Sequence, residues 1–192
     1  KYGFHVLAPA LPGLAGSPPA PLEDYLPSRL AEIVVDELEQ RGLKRFAPVG
    51  FSWGGTIGCR LDPDRLEALV LLDVGYQTSG EPPTLEERLA EFAGVEFADP
   101  TIVGTAFHGV DREPAVEALP MLADAGVDVL LLAATEPYVE RRAADLAGFR
   151  RALPHADVRE VQGAEHNLLE TRPSETVRAV GEWLRAVTMA RA

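Results

Sequence analysis

The stretch of the chain that decides the fold is residues 49–55, which read Val-Gly-Phe-Ser-Trp-Gly-Gly. This segment begins with an apolar run, continues as Gly-x-Ser-x-Gly and leads into a helix-like segment. Such a pattern is typical of a tight strand-to-helix turn with a serine at its tip. Such a turn strains the backbone of the serine, and side chains two residues to either side would collide with the neighbouring strand and helix. Gly50 and Gly54 are expected to avoid that collision, because glycine has no Cβ. The pattern therefore predicts a nucleophilic serine, Ser52.

The helix after this turn is predicted to assist chemistry at Ser52. Its free N–H groups and the positive end of its dipole point at the site. We expect the backbone N–H of Trp53 to donate to the oxyanion that forms when Ser52 attacks a carbonyl. The side chains of Phe51 and Trp53 are expected to flank the nucleophile and contact the substrate. The alternative is a Gly/Ser-rich turn without chemistry, which the apolar run and the helix-like segment disfavour.

Composition limits the classes of function. A chain of 192 residues suits one domain, or one domain with a small insertion. Its formal net charge of −12 argues against nucleic-acid binding, which needs a basic surface, and against an anionic membrane surface. No apolar run of about 18 residues is present, so we expect no membrane span. With one cysteine there is no internal disulfide and no Cys/His metal cluster, so we expect no metal. No signal peptide is visible, and a cytoplasmic location is expected.

Apolar runs alternate with helical patterns along the chain. Strands are predicted at residues 4–8, 45–49, 67–73, 127–133 and 157–161. Helices are predicted at residues 28–42, 53–61, 138–153 and 174–188. This alternation predicts an α/β fold, with a mostly parallel sheet covered by helices on both faces.

One long connection interrupts the alternation, between the third and fourth predicted strands. Residues 84–92 and 115–125 have helical patterns, and the second belongs to the crossover of the sheet. Residues 93–114 show no clear period. Because long connections in compact domains are usually functional, we expect residues 74–114 to form a small lid. The core then consists of residues 1–73 and 115–192.

A serine hydroxyl needs a base to take its proton, and the chain has four histidines. Only His166 follows a predicted strand at its carboxyl end, where sites form in open parallel sheets. It also lies downstream of Ser52, in the order serine, acid, histidine. His5 lies in a predicted strand, His108 in the insertion and His155 in a turn. His166 is therefore the predicted base.

Two carboxylates at strand ends are candidates for the third group. Glu136 follows the fourth predicted strand, and Asp73 ends the third. Either could orient the imidazole and stabilise its cation. Acidic residues also end strands for structural reasons, which weighs most against Asp73. The residues alone leave both candidates open.

With these motifs, the chain resembles the α/β-hydrolase superfamily over essentially its whole length. Residues 7–17 resemble the family's Pro-Gly-rich loop after its fourth strand, and residues 50–55 resemble its nucleophile elbow. Residues 163–167, with Glu170 and Pro173, resemble its histidine loop. Glu136 stands where the family usually has its acid, so the resemblance favours Glu136 and leaves Asp73 as the alternative.

The resemblance implies a serine hydrolase that cleaves a carboxylic ester or a related acyl substrate through an acyl-enzyme. Ser52 would be the nucleophile, His166 the base and Glu136 the acid. No metal or organic cofactor is required, and the expected partner is a small acyl substrate. A serine at the elbow argues against dehalogenase and epoxide-hydrolase chemistry, which in the family use an aspartate there. Thioesterase, lactonase, carbon–carbon bond hydrolase, aminopeptidase and cofactor-free peroxidase activities stay open, as does the oligomeric state.

The sequence departs from the family pattern in three places. Ala10 stands where the family usually has an acid, and Glu165 where glycine is common. The family's early strands, and the loop that supplies its second oxyanion donor, would precede Lys1. We therefore expect an N-terminally truncated version of a longer hydrolase, or a rearranged sheet that pairs residues 4–8 directly with 45–49. The second class of function is a catalytically inactive binding or interaction protein with the same fold.

Overall fold

A computed structural model describes residues 2–75, 81–96, 98–136 and 139–190 of the chain. The described residues form one parallel sheet whose strands follow each other in chain order. The strands are β1 (Val49–Phe51), β2 (Leu69–Leu72), β3 (Val129–Ala134) and β4 (Asp157–Val161). Because all of them are parallel, their carboxyl ends meet at one edge of the sheet.

Helices connect and cover these strands. They are α1 (Pro27–Gln40), α2 (Trp53–Cys59), α3 (Leu85–Glu91), α4 (Pro100–Arg112), α5 (Leu119–Asp124), α6 (Val139–Ala152), α7 (Leu168–Thr171) and α8 (Pro173–Ala190). Within the described part of the chain, none of them combines the length and the apolar character that crossing a bilayer needs.

The sheet is covered by helices on both faces, as predicted. Alternate strand residues point to opposite faces, so Leu69 and Leu71 of β2 join one core and Val70 and Leu72 join the other. The first core contains side chains of α1, α2, α4, α5 and α6. The second contains Leu168 of α7 and side chains of α8. The predicted α/β fold class is therefore confirmed.

The predicted strand at residues 4–8 is wrong. Residues 2–10 have no regular secondary structure, and Val6 is 83% exposed. An apolar run forms a strand only where a neighbour supplies hydrogen-bond partners, and β1 is paired with β2 alone among the described strands. The edge position of β1 leaves Val49 48% exposed. The alternative sheet, with residues 4–8 paired to this strand, is not found in the described residues.

The strand predicted at residues 45–49 lies further along the chain. Regular pairing begins at Val49, and the earlier residues contribute only an isolated bridge between Phe46 and Leu66. The helix predicted at residues 115–125 is split into a 3-10 turn, Ala115–Glu117, and α5. Pro120 explains the split, because proline has no N–H to donate to the carbonyl four residues before it.

Helix α4 lies within residues 93–114, where the sequence shows no clear hydrophobic period and no helix was predicted. Asp99 caps the helix by accepting a hydrogen bond from the N–H of Thr101, and Pro100 occupies the first helical position. Ile102 and Ala106 of α4 join the first core. The start signals were present in the sequence, and the buried side chains of α4 were hidden among small and polar residues.

In the described part of the insertion, α3 and α4 form a packed pair of helices that is fixed to the core. Arg88 of α3 donates two hydrogen bonds, of 2.6 and 2.7 Å, to the buried carboxylate of Asp111 in α4. A Cβ on Gly104 of α4 would lie 3.0 Å from the backbone of α3, so the two helices pack closely. Glu113, after α4, accepts hydrogen bonds from the backbone N–H and the hydroxyl of Ser28 in α1. The insertion therefore has a defined position against α1.

Candidate active site

Ser52 lies in the turn between β1 and α2, with φ 48° and ψ −118°. This positive φ is strained for a residue with a side chain. A Cβ on Gly50 would lie 2.5 Å from the carbonyl oxygen of Gly54, so only glycine fits there. A Cβ on Gly55 would collide with the side chain of Val74, whereas a Cβ on Gly54 would meet nothing within 4 Å. The close packing of β1 and α2 therefore requires glycine at positions 50 and 55. The expectation that a side chain at Gly54 would collide with its neighbours is wrong.

His166 lies in the loop after β4 and reaches back across the sheet to Ser52. Its Nε2 is 3.0 Å from Oγ of Ser52. The loop is tied to the end of β3, because the N–H of Gly163 donates to Oγ1 of Thr135 over 2.9 Å. The N–H of Glu165 donates to the hydroxyl of Thr171 at the end of α7. These bonds fix the backbone on both sides of the imidazole.

Asp73 is the carboxylate that contacts the imidazole. It is the first residue after β2, its φ is 48°, and its side chain is 0% exposed. Oδ2 lies 2.7 Å from Nδ1 of His166, and Oδ1 accepts a 2.8 Å hydrogen bond from the N–H of Ala134. A buried carboxylate needs such partners. These bonds leave Asp73 positioned from two sides.

The geometry differs from what the expectation of Glu136 as the acid implies, because the imidazole contacts Asp73. Both ring nitrogens of His166 have partners, Asp73 and Ser52. Glu136 is exposed and is the second residue beyond β3, where its backbone N–H donates to the carbonyl of Ala164. Its side chain lines a cavity of about 290 Å³ beside α6. The carboxylate in contact with the imidazole is therefore that of Asp73, whereas Glu136 contacts the histidine loop through its backbone.

Phe51 and Trp53 flank the nucleophile in sequence but point in different directions. The ring of Phe51 lies against His166, with ring centroids 4.9 Å apart and planes inclined by 44°. The side chain of Trp53 packs against the first core, and its indole Nε1 is buried without a hydrogen-bond partner among the described residues. The backbone N–H of Trp53 is the first of α2, so no carbonyl of the helix can accept from it.

The other reactive side chains lie outside this constellation. His155 contacts the carbonyl of Val127 at the opposite end of the sheet, over 3.1 Å. His108, in α4, contacts the carbonyl of Pro83 over 3.3 Å. Burial raises the pKa of the Cys59 thiol to about 12, so this side chain is a buried apolar group. Within the described residues, no cluster of His, Cys, Asp or Glu side chains is arranged to hold a metal ion.

The site combines a buried carboxylate with a solvent-exposed imidazole. The side chain of His166 is 58% exposed, whereas that of Asp73 is completely buried. A molecule arriving from solvent can therefore reach the imidazole and the hydroxyl of Ser52. Such an arrangement of hydroxyl, imidazole and carboxylate can perform acyl transfer.

Comparison with protein families identifies the class. The model of the alpha/beta hydrolase family matches residues 1–180, so the chain belongs to the α/β-hydrolase family. Comparison with curated proteins gives no match.

Solved structures of hydrolases share the fold. A thermophilic esterase from Thermogutta terrifontis is 19% identical with a TM-score of 0.71, over 92% of this chain and 78% of that one. A structure from work on carboxylesterases of Nitrososphaera gargenis is 17% identical with a TM-score of 0.71, and the match covers 94% of this chain and 79% of that one. MenH from S. aureus is 16% identical with a TM-score of 0.73, over 93% and 82%. Family and neighbours together make the protein an enzyme of the hydrolase type.

Proposed function

We propose that the protein is a serine hydrolase that cleaves a carboxylic ester or a related acyl substrate. The observation that carries this proposal is one continuous series of contacts. Asp73 Oδ2 lies 2.7 Å from His166 Nδ1, and His166 Nε2 lies 3.0 Å from Ser52 Oγ. The acid in the proposal is Asp73, in place of Glu136.

In the first half of the reaction, Nε2 of His166 takes the proton of Ser52 while Oγ attacks the substrate carbonyl. The buried carboxylate of Asp73 can only accept a hydrogen bond, so it holds the proton of the imidazole on Nδ1 and leaves Nε2 free as the base. The same carboxylate stabilises the imidazolium that forms. The oxyanion accepts a hydrogen bond from the backbone N–H of Trp53.

The tetrahedral intermediate then collapses. The bond to the leaving alcohol breaks, and the alcohol takes the proton from Nε2 of His166. The acyl group stays on Oγ of Ser52. Water enters, gives its proton to Nε2 and attacks the acyl carbon, and the second collapse returns the proton to Ser52 and releases the acid. No oxidant, metal or cofactor takes part in these steps.

We propose that residues 74–114 form the lid that shapes the substrate pocket, on a core of residues 1–73 and 115–192. The position of α4 supports this role. Ile102 of α4 lies against Gly13, where a Cβ would collide with its side chain, so the insertion contacts the loop at residues 7–17. The esterase and carboxylesterase work on the similar structures supports an ester as the substrate class.

A covalent serine probe tests the proposal. The wild-type protein is treated with a fluorophosphonate and its mass is measured, beside Ser52→Ala and the control Ser174→Ala at the exposed start of α8. We expect one adduct on the wild type and on Ser174→Ala, and none on Ser52→Ala. Hydrolysis of p-nitrophenyl acetate should fall by about 10⁶-fold in kcat for Ser52→Ala.

Two results would contradict the proposal. One is a folded wild-type protein that takes up no probe and cleaves no activated ester, which would favour the binding-protein alternative. The other is turnover by Ser52→Ala at the wild-type rate.

A further inference from the structure

We propose that Phe51 is a positioning residue for His166, and that its ring holds the imidazole at the tilt that proton transfer from Ser52 needs. This inference rests on the proposed function of the same site. It replaces the expectation from sequence that Phe51 contacts the substrate. The ring centroids are 4.9 Å apart, with the planes inclined by 44°.

The hydrogen bonds of His166 leave one motion of its ring weakly constrained. Nδ1 is held by Asp73 and Nε2 contacts Ser52, at 2.7 and 3.0 Å. These two contacts restrain rotation of the ring plane only through the angular preference of hydrogen bonds. The imidazole is 58% exposed, so core packing does not supply the rest of the restraint. The ring of Phe51 packs against the imidazole and opposes this rotation.

Phe51 is well suited to this task because it is itself fixed. It is the last residue of β1, paired in register with Leu72, and it packs against the second core. It also immediately precedes Ser52. The same end of β1 therefore positions the nucleophile through the backbone and the base through the aromatic ring.

The ring also acts on the charge that develops on His166. The imidazole becomes a cation when it takes the proton of Ser52, and the face of an aromatic ring attracts a cation within about 6 Å of the ring centroid. This interaction is stronger in the transition state than in the ground state, so its loss lowers kcat. A residue that only contacted the substrate equally in both states would change KM and leave kcat unaffected.

Kinetics of three variants test the inference. Phe51→Leu keeps an apolar side chain on the second core and removes the ring, and Phe51→Tyr keeps the ring. Phe46→Leu is the matched control, because it makes the same substitution three residues before β1 begins and thus away from His166. We expect kcat to fall about tenfold in Phe51→Leu with KM within about twofold, and to return largely in Phe51→Tyr. Phe46→Leu should keep the wild-type kcat.

A second measurement does not depend on turnover. The ring-proton resonances of His166 are assigned by comparison with His166→Gln, in a chain with four histidines. We expect them to move in Phe51→Leu and to stay in place in Phe46→Leu, because an aromatic ring shifts the resonances of protons beside it. If Phe51→Leu does not fold, Phe51→Met replaces it.

The inference is overturned if Phe51→Leu keeps the wild-type kcat, if its loss appears only in KM, or if the His166 resonances do not move. Failure of the proposed function gives a different pattern. In that case Ser52→Ala retains turnover, or the wild type takes up no probe, while the resonances still report whether the two rings are in contact.

Discussion

The ends of β2 and β3 look alike in sequence and differ in what they contribute to the site. Each buried strand is followed by a carboxylate at the same edge of the sheet. Asp73 follows β2 directly, with a positive φ and a buried side chain that contacts His166. Glu136 lies two residues beyond β3, is exposed and lines a cavity beside α6.

The difference shows that the position of a carboxylate depends on backbone direction as well as on the strand it follows. The left-handed conformation of Asp73 places its side chain between the end of β3 and the imidazole. Strand β3 contributes an N–H, that of Ala134, which binds the carboxylate of its neighbour. It also contributes the hydroxyl of Thr135, which binds the histidine loop. Thus the residue after β2 contacts the imidazole, whereas the end of β3 contacts the carboxylate and the histidine loop.

The largest effect that would sharpen this comparison is expected for Asp73→Asn. The amide oxygen can keep the bond from the N–H of Ala134, which turns the NH₂ group towards Nδ1 of His166. The imidazole then carries its proton on Nε2 and can no longer accept the proton of Ser52. We expect kcat to fall by about 10⁴-fold, as this change does in a Ser-His-Asp protease.

Ester hydrolysis by the folded variant is the measurement for Asp73→Asn, with circular dichroism to establish folding. A folded Asp73→Asn variant that keeps wild-type activity would show that the carboxylate after β2 has no role in catalysis.

A smaller effect is expected at the end of β3, for Thr135→Val. Valine has nearly the shape of threonine but cannot accept from the N–H of Gly163, so the histidine loop loses one anchor. We expect the free energy of unfolding to fall by about 1 kcal/mol and kcat/KM to fall about tenfold or less. Chemical denaturation and ester hydrolysis measure the two effects.

Thr135→Ser keeps the hydroxyl and is the matched control, which should restore both quantities. A loss as large as that of Asp73→Asn would show that β3 takes part directly in the chemistry.

The smallest effect is expected for Glu136→Gln. This side chain is exposed, and the contact of Glu136 with the histidine loop is made by its backbone N–H. We expect kcat/KM within about twofold of the wild-type value, since surface substitutions away from such contacts change little. Measured in the same assay as Asp73→Asn, a loss of several hundredfold would reverse the comparison and return Glu136 to the role of the acid.

The parts of the site that depend on local sequence could be predicted. Ser52 was selected because Gly-x-Ser-x-Gly lies between an apolar run and a helical pattern, and His166 because it alone among the histidines follows a predicted strand at its carboxyl end. The structure places these two side chains 3.0 Å apart. The resemblance favoured Glu136, whereas the contact with His166 is made by Asp73, and the difference has a physical reason. The direction of a side chain after a strand depends on φ and on the partners that the fold brings, such as the N–H of Ala134, and neither is visible in the sequence.

In the fold, too, features that depend on local sequence were predicted, and features that depend on neighbouring elements were not. The buried strands β2 and β3 were predicted because nearly every residue in them is apolar. Residues 4–8 are also mostly apolar but have no neighbouring strand among the described residues, so they are irregular. Helix α4 was missed because its buried positions include Gly104 and Thr105, which carry little hydrophobic signal.

The most direct test of the central claim is to determine which ring nitrogen of His166 carries the proton. Nitrogen-15 NMR of the neutral imidazole reports this in the wild type, Glu136→Gln and Asp73→Asn. We expect a proton on Nδ1 in the wild type and in Glu136→Gln, and on Nε2 in Asp73→Asn. A proton that stays on Nδ1 in Asp73→Asn and leaves it in Glu136→Gln would contradict the assignment of Asp73 as the acid.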